Sequence, residues 1–134
     1  MIHVALAYLF NAYGEVLIAR RPNDKMFGGL WEFPGGKLEK DESASAALIR
    51  ELYEELSIRT EVVKILRSYE YPVSGAVTLC FHPILVEHVS GEMRLREHSM
   101  AAWVVPSSIE NYSLAPPDYE AARILQEYVG DKDE

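Results

Sequence analysis

The sequence predicts an α+β fold, with two helices packed on a mixed β-sheet. Three observations carry this expectation. Apolar, β-prone runs at residues 2–10, 15–20, 60–71 and 76–89 are bounded by turn-forming clusters. Two other segments, 44–56 and 117–129, repeat their apolar residues at helical spacing instead. The chain has 134 residues, 49% apolar and 25% charged, which suits one globular domain able to close a core.

Taken in order, residues 2–10 and 15–20 are joined by Asn11-Ala12-Tyr13-Gly14 and are expected to form an antiparallel hairpin. A loop with a flexible Gly28-Gly29 follows. Leu30-Trp31-Glu32-Phe33 reads as a short strand that Pro34-Gly35-Gly36 ends. Asp41, Glu42 and Ser43 open the first helix, with Ser43 as N-cap and acidic neighbours suited to the helix dipole. Ala44, Ala47, Leu48, Leu52 and Leu56 form its buried stripe, and the pattern stops at Ser57. Strands over 60–71 and 76–89 are joined through Pro72-Val73-Ser74-Gly75, and 101–105 is a further strand. Residues 106–112 suit a helical turn. The closing helix, 117–129, has a proline near its start and Ala121, Ala122, Ile124 and Leu125 on its apolar face. Residues 130–134 read as a frayed tail of a single domain covering 1–134.

Thirteen Lys and Arg against 21 Asp and Glu give a net charge of −8. Phosphate backbones select basic surfaces, so this balance argues against a nucleic-acid partner. A small anionic ligand stays open, because a bound metal reverses the local sign. Cys80 is the only cysteine, which excludes an internal disulfide, and its apolar neighbours suggest a buried structural thiol. No apolar run approaches the roughly 20 residues of a membrane span, and Met1-Ile2-His3-Val4-Ala5 lacks a basic targeting region. The expectation is a cytoplasmic monomer with no membrane partner.

The informative segment runs through the first helix. Glu51, Glu54 and Glu55 stand at i, i+3 and i+4 and therefore share one face, where like charges repel. A purely structural helix gains little from this, although a solvated acidic face is the default reading. Arg50 is placed to reach Glu42 or Glu54 and offset the repulsion. The cluster follows a strand and Pro34-Gly35-Gly36, whose glycines let the backbone approach a ligand and present a carbonyl. Carboxylates and a carbonyl make an all-oxygen donor set, suited to Mg²⁺ or Mn²⁺ and not to Zn²⁺.

From Gly36 the order is five residues, Glu42, seven residues, then Arg50-Glu51-Leu52-Tyr53-Glu54-Glu55-Leu56-Ser57-Ile58. This resembles the box of the Nudix hydrolases, G-x5-E-x7-R-E-U-x-E-E-x-G-U with U apolar. Only Ser57 departs, where the family has a glycine that relieves a left-handed helix cap. The resemblance implies an α/β/α sandwich, with helices on both faces of a mixed sheet. It implies hydrolysis of nucleoside diphosphate linkages with Mg²⁺, for which Mn²⁺ can substitute. Glu54, Glu55, Glu51 and the Gly36 carbonyl resemble the metal ligands. Glu51 and Glu54 also resemble catalytic carboxylates, Glu51 as the residue that orients or deprotonates water. Lys37 resembles a group that neutralises the leaving phosphate, and Glu42 with Arg50 resembles the pair that ties loop to helix. Glu97, six residues before Trp103, resembles a further metal ligand outside the box. No histidine is given a catalytic role: His98 reads as a surface or packing residue, and His3, His82 and His88 show no ligand spacing.

Ala19-Arg20-Arg21-Pro22 and the stretch from Gly29 to Lys37 look like the MutT and CTP pyrophosphohydrolase branch of the family. That branch converts nucleoside triphosphates to a monophosphate and pyrophosphate. Its base-recognition positions map to Arg21, Phe33 and Asp118. MutT carries Asn where Asp118 stands; an ionised carboxylate only accepts hydrogen bonds, whereas a protonated one imitates the amide. Asp118 also suits a helix N-cap. The implied substrate is 8-oxo-dGTP or another modified nucleotide. CTP or dCTP, including 5-methyl-dCTP, is the alternative that Leu114-Ala115-Pro116-Pro117-Asp118 favours. A non-catalytic nucleotide sensor is a third reading, against which stand all three box glutamates. Trp103, in an apolar strand, is expected in the core.

Overall fold

The computed structural model describes residues 1–133, and their side chains through Gly130. The strands are β1 (Ile2–Leu9), β2 (Val16–Arg20), β3 (Trp31–Glu32), β4 (Gly35–Lys37), β5 (Arg59–Ile65), β6 (Tyr69–Pro72), β7 (Thr78–Ser90) and β8 (Met100–Val104). The helices are α1 (Ala44–Leu56) and α2 (Asp118–Asp133), with a 3₁₀ segment at Pro106–Asn111. Five strands form one mixed sheet in the order β4-β1-β7-β5, with β6 also on β7, and β3-β2-β8 form a second. No described helix is long and apolar enough to cross a membrane.

The expected hairpin of residues 2–10 and 15–20 does not form. β1 instead runs parallel to β7, from Ile2 opposite Leu79 to Leu9 opposite Val86, and β2 pairs with β3 and β8. Only the Phe10–Val16 bridge joins the two runs. The physical reason is that β1 is apolar on both faces. Leu6 and Tyr8 enter a core with Ala121, Ala122, Ile124 and Leu125 of α2. Ala5, Ala7 and Leu9 enter another with Leu48, Leu52 and Leu56 of α1. A strand buried on both sides belongs in the middle of a sheet. The two cores place one helix on each side, as the sandwich requires.

Four further expectations are corrected. Pro34-Gly35-Gly36 does not end the sheet; Gly35–Lys37 pairs with Leu6, Ala5 and Val4 as β4. The run 60–71 splits into β5 and β6, because its partner β7 carries Pro83, which has no N–H to donate to a ladder. Cys80 is half-buried. Trp103 is 38% exposed: β8 is an edge strand, and alternation gives Val104 to the core.

The helix ends follow local chemistry. The Ser43 hydroxyl accepts from the Ala46 amide, and Ser57 adopts the left-handed cap (φ 61°) expected of the glycine position, at a cost of about 1 kcal/mol. α2 continues past Val129 to Asp133, since a single glycine weakens but does not break a helix. Glu134 lies outside the described residues.

Candidate functional site

α1 and β4 face each other at one edge of the large sheet, and two glycines allow the approach. A Cβ on Gly35 would collide with the Ala5 carbonyl, and one on Gly36 would stand 2.5 Å from Oε2 of Glu51. The Glu51 carboxylate thus lies directly on the Gly36 backbone. Arg50 organises the loop around it. Its Nε and Nη2 each reach Glu42 at 2.8 Å, Nη1 donates to Glu51 at 2.9 Å, and Nη2 donates to the Lys37 carbonyl at 3.2 Å. The hydrogen bonds from Arg50 and from the Glu39 amide lower the Glu42 pKa to about 2.

A cleft of about 430 Å³ opens here, a size suited to a small ligand. Gly36, Lys37, Glu51 and Glu55 line it. Phe33, Leu79, Phe81, Pro117, Asp118 and Arg21 line it too. Glu55 is buried, its Oε2 has no hydrogen-bond partner, and its pKa is pushed up to about 9. Burial is the main cause, followed by the negative charges of Glu32, Glu51 and Glu97. Burial also raises Glu51, against the pull of Arg50. A buried carboxylate among carboxylates, with an unpaired oxygen, is the signature of a site completed by a cation. The oxygen-only donors fit a hard divalent ion.

The predicted site residues are distributed unevenly. Gly36, Lys37, Glu51, Glu55, Arg21, Phe33 and Asp118 meet in this cleft. Glu97 is exposed and lines an adjoining pocket with Glu55, Glu32 and His98. Glu54 stays on the outer rim, exposed and 3.3 Å from Arg50. Phe33 gives its ring to the core, edge-on to Tyr8, and its amide to Asp118 at 2.9 Å. Asp118 is buried as the first residue of α2; the hydrogen bond it makes is to Phe33, and not the N-cap bond weighed as an alternative. Burial, aided by Glu32, raises its pKa well above the usual carboxylate range.

Sequence reasoning missed Glu32. Glu32 accepts from Arg21 at 2.8 Å and pairs with His98 at 2.9 Å, so of the two readings of His98, surface or packing, the buried packing one holds. The available signal was a lone acidic residue within an otherwise apolar Leu-Trp-Glu-Phe strand. A larger groove beside Trp103 and Tyr128 carries none of the box carboxylates.

A model of the NUDIX domain matches residues 2–125. The chain belongs to the Nudix family. It is 40% identical over 118 residues to a CTP pyrophosphohydrolase of Escherichia coli (strain K12), covering 88% of this chain and 86% of that one. It is 33% identical over 104 residues to an 8-oxo-dGTP diphosphatase of the same strain, covering 77% and 79%. A MutT structure reported from Aliivibrio salmonicida and Vibrio cholerae superposes with TM-score 0.72 at 32% identity, over 93% of this chain and 98% of that one. This Nudix chain is a pyrophosphohydrolase acting on small-molecule nucleotides, in a family that generally uses divalent metals.

Proposed function

We propose that this Nudix hydrolase is Mg²⁺-dependent and converts nucleoside triphosphates to monophosphates and pyrophosphate, with 8-oxo-dGTP as its substrate. The observation that carries the reading is one cleft lined both by box carboxylates, Glu51 and Glu55, and by the buried Asp118. Glu51, Glu55, Glu97 and the Gly36 carbonyl would hold the ion, and the exposed Glu54 would add charge beside them. When bound, Mg²⁺ or Mn²⁺ would offset the phosphate charge and make a water more acidic.

The remaining roles fall to the chain itself. Arg50 donates to Oε1 of Glu51 and fixes the carboxylate, so that Oε2 is the oxygen turned to the ion and to the attacking water it would orient. Lys37 is exposed beside Gly36 and offsets charge on the departing phosphate. Burial favours the neutral form of Asp118, in which it would accept from Phe33 through Oδ2 and donate through its other oxygen, as an amide would. Guanine shows two acceptors, O6 and N7, on this edge. Oxidation at C8 turns N7 into an N–H donor, and an acceptor–donor pair then matches a carboxylic acid.

A second reading is a cytidine nucleotide, methylated forms included. Cytosine also offers an acceptor and a donor side by side, at N3 and N4, and the 40% identity to the CTP enzyme supports it. Pyrophosphate release from a panel of oxidised, methylated and ordinary triphosphates, with Mg²⁺ and with Mn²⁺, tests both. A preference for 8-oxo-dGTP over dGTP below about tenfold, or 1.4 kcal/mol, counts against the first reading. A comparable preference for CTP or dCTP establishes the second. Activity independent of added metal would sink the Mg²⁺ assignment.

A further inference from the structure

A second cluster of ligating side chains lies on the large sheet, outside the cleft. His3 and Cys80 are direct partners in the parallel β1–β7 ladder, and Glu70 of β6 is opposite Cys80 on its other side. Paired residues share a sheet face, and His82, two positions along β7, shares it too. Farther along β1 and β7 this face is filled by Ala5, Ala7, Ile84 and Val86 under α1. At the cluster it opens, with His3 exposed and Cys80 and His82 half-buried. One ligand atom from each of His3, Cys80 and His82 lies within 4.8 Å of the others.

We propose that His3, Cys80 and His82 form a binding site for a transition-metal ion of the Zn²⁺ class, separate from the box carboxylates. Tetrahedral Zn²⁺, with bonds of about 2.0–2.1 Å to nitrogen and about 2.3 Å to sulfur, sets its ligand atoms roughly 3.3–3.6 Å apart. His3 Nδ1 and His82 Nε2 are hydrogen-bonded to each other at 2.9 Å with their rings stacked, so a metal ion would take the place of the shared proton and side-chain rotations would widen the pair to that spacing. The Ser68 hydroxyl contacts Nδ1 of His82 at 2.8 Å. That bond orients the ring and leaves Nε2 facing the cluster, the outer support common to metal-bound histidines. Burial and the neighbouring His3 lower the His82 pKa, which favours the neutral imidazole that a metal requires. The Cys80 thiol is raised by burial and by Glu70, so metal entry expels its proton. Water would complete the fourth position.

Two nitrogens and a sulfur form a borderline-soft set that discriminates against Mg²⁺, the opposite chemistry to the cleft. The ion would tie β1 to β7. The assignment does not depend on the substrate proposed above.

The test uses tag-free full-length protein with Mg²⁺ in excess, so that added Co²⁺ probes the new site and not the cleft. Expected is a thiolate-to-cobalt charge-transfer band saturating at one equivalent and displaced by Zn²⁺. Cys80→Ser should abolish the band, and Ser68→Ala should weaken binding by about tenfold or more. His3 is exposed, so His3→Ala gives a folded variant should Cys80→Ser fail to fold, and it should weaken the band strongly. Mg²⁺-dependent hydrolysis should be unchanged in His3→Ala. Absence of the band, its survival in Cys80→Ser or at full strength in His3→Ala, or saturation at half an equivalent through two chains, would overturn the proposal.

Discussion

The Phe33 amide donates to Oδ2 of Asp118 at 2.9 Å, tying the segment before β4 to the first turn of α2 across 85 positions of sequence. The bond holds a buried carboxyl in the lining of the cleft, where its pKa is raised. A carboxyl favoured in its neutral form when folded contributes stability that is full below about pH 3.9 and lost as pH rises through its raised pKa. Asp118→Asn keeps the acceptor for Phe33 and removes that loss. Thermal unfolding should therefore show a higher Tm than the parent at about pH 8, with a smaller difference at about pH 4. Asp118→Ala should lower discrimination between preferred and ordinary triphosphates by about tenfold or more, measured as a ratio of kcat/KM.

Glu55 supplies a proton-linked metal test. Its pKa of about 9 favours a proton there in the metal-free protein, and Mg²⁺ bound as proposed would displace it. Calorimetric Mg²⁺ titrations in buffers of differing ionisation enthalpy should show proton release near pH 7 that Glu55→Gln abolishes. The sign for stability is the same as for Asp118, with the loss falling between about pH 4.5 and about pH 9. Glu55→Gln should thus equal or exceed the parent in metal-free Tm while losing the rise in Tm that Mg²⁺ gives.

Gly36→Ala tests the contact between β4 and α1. The added methyl would sit 2.5 Å from Glu51 Oε2, so the carboxylate must move. A displacement of about 1 Å at a reacting group costs on the order of 10²-fold in rate. We expect such a fall in kcat with far-ultraviolet circular dichroism unchanged. Full activity would show that the position of Glu51 is not critical.

Arg50→Lys tests the fork. Lysine cannot reproduce the paired bonds to Glu42 together with those to Glu51 and Lys37. kcat/KM should drop by about tenfold or more. Glu42, held near pKa 2 by Arg50, contributes stability present above about pH 4.5 and lost as pH falls through about 2. The acid unfolding limb of Arg50→Lys should accordingly move to higher pH.

The box was legible because its chemistry is local. Glu51, Glu54 and Glu55 share a helix face by periodicity, Arg50 stands beside them, and Ser43 and Ser57 mark the helix ends within a few residues. Glu32 and His98 were not legible. They meet across 66 positions, and no periodic rule connects a residue of β3 with the loop before β8. Trp103 went astray for a related reason: an apolar run predicts a strand but not whether the strand lies at an edge. The same limit hid the His3–Cys80 pairing, which exists only because β1 runs parallel to β7.

The sequence by itself determined that a strand, a glycine loop and a carboxylate helix follow one another. That spacing sets which side chains share a turn, because 3.6 residues per turn is a property of the backbone and not of the fold. Only the tertiary structure decided which carboxylates differ. Glu54 and Glu55 are neighbours in the chain, yet one is exposed on the rim and the other buried with an unpaired oxygen and a pKa near 9. The difference is desolvation by β4 and the converging Glu32, and long-range packing alone supplies it.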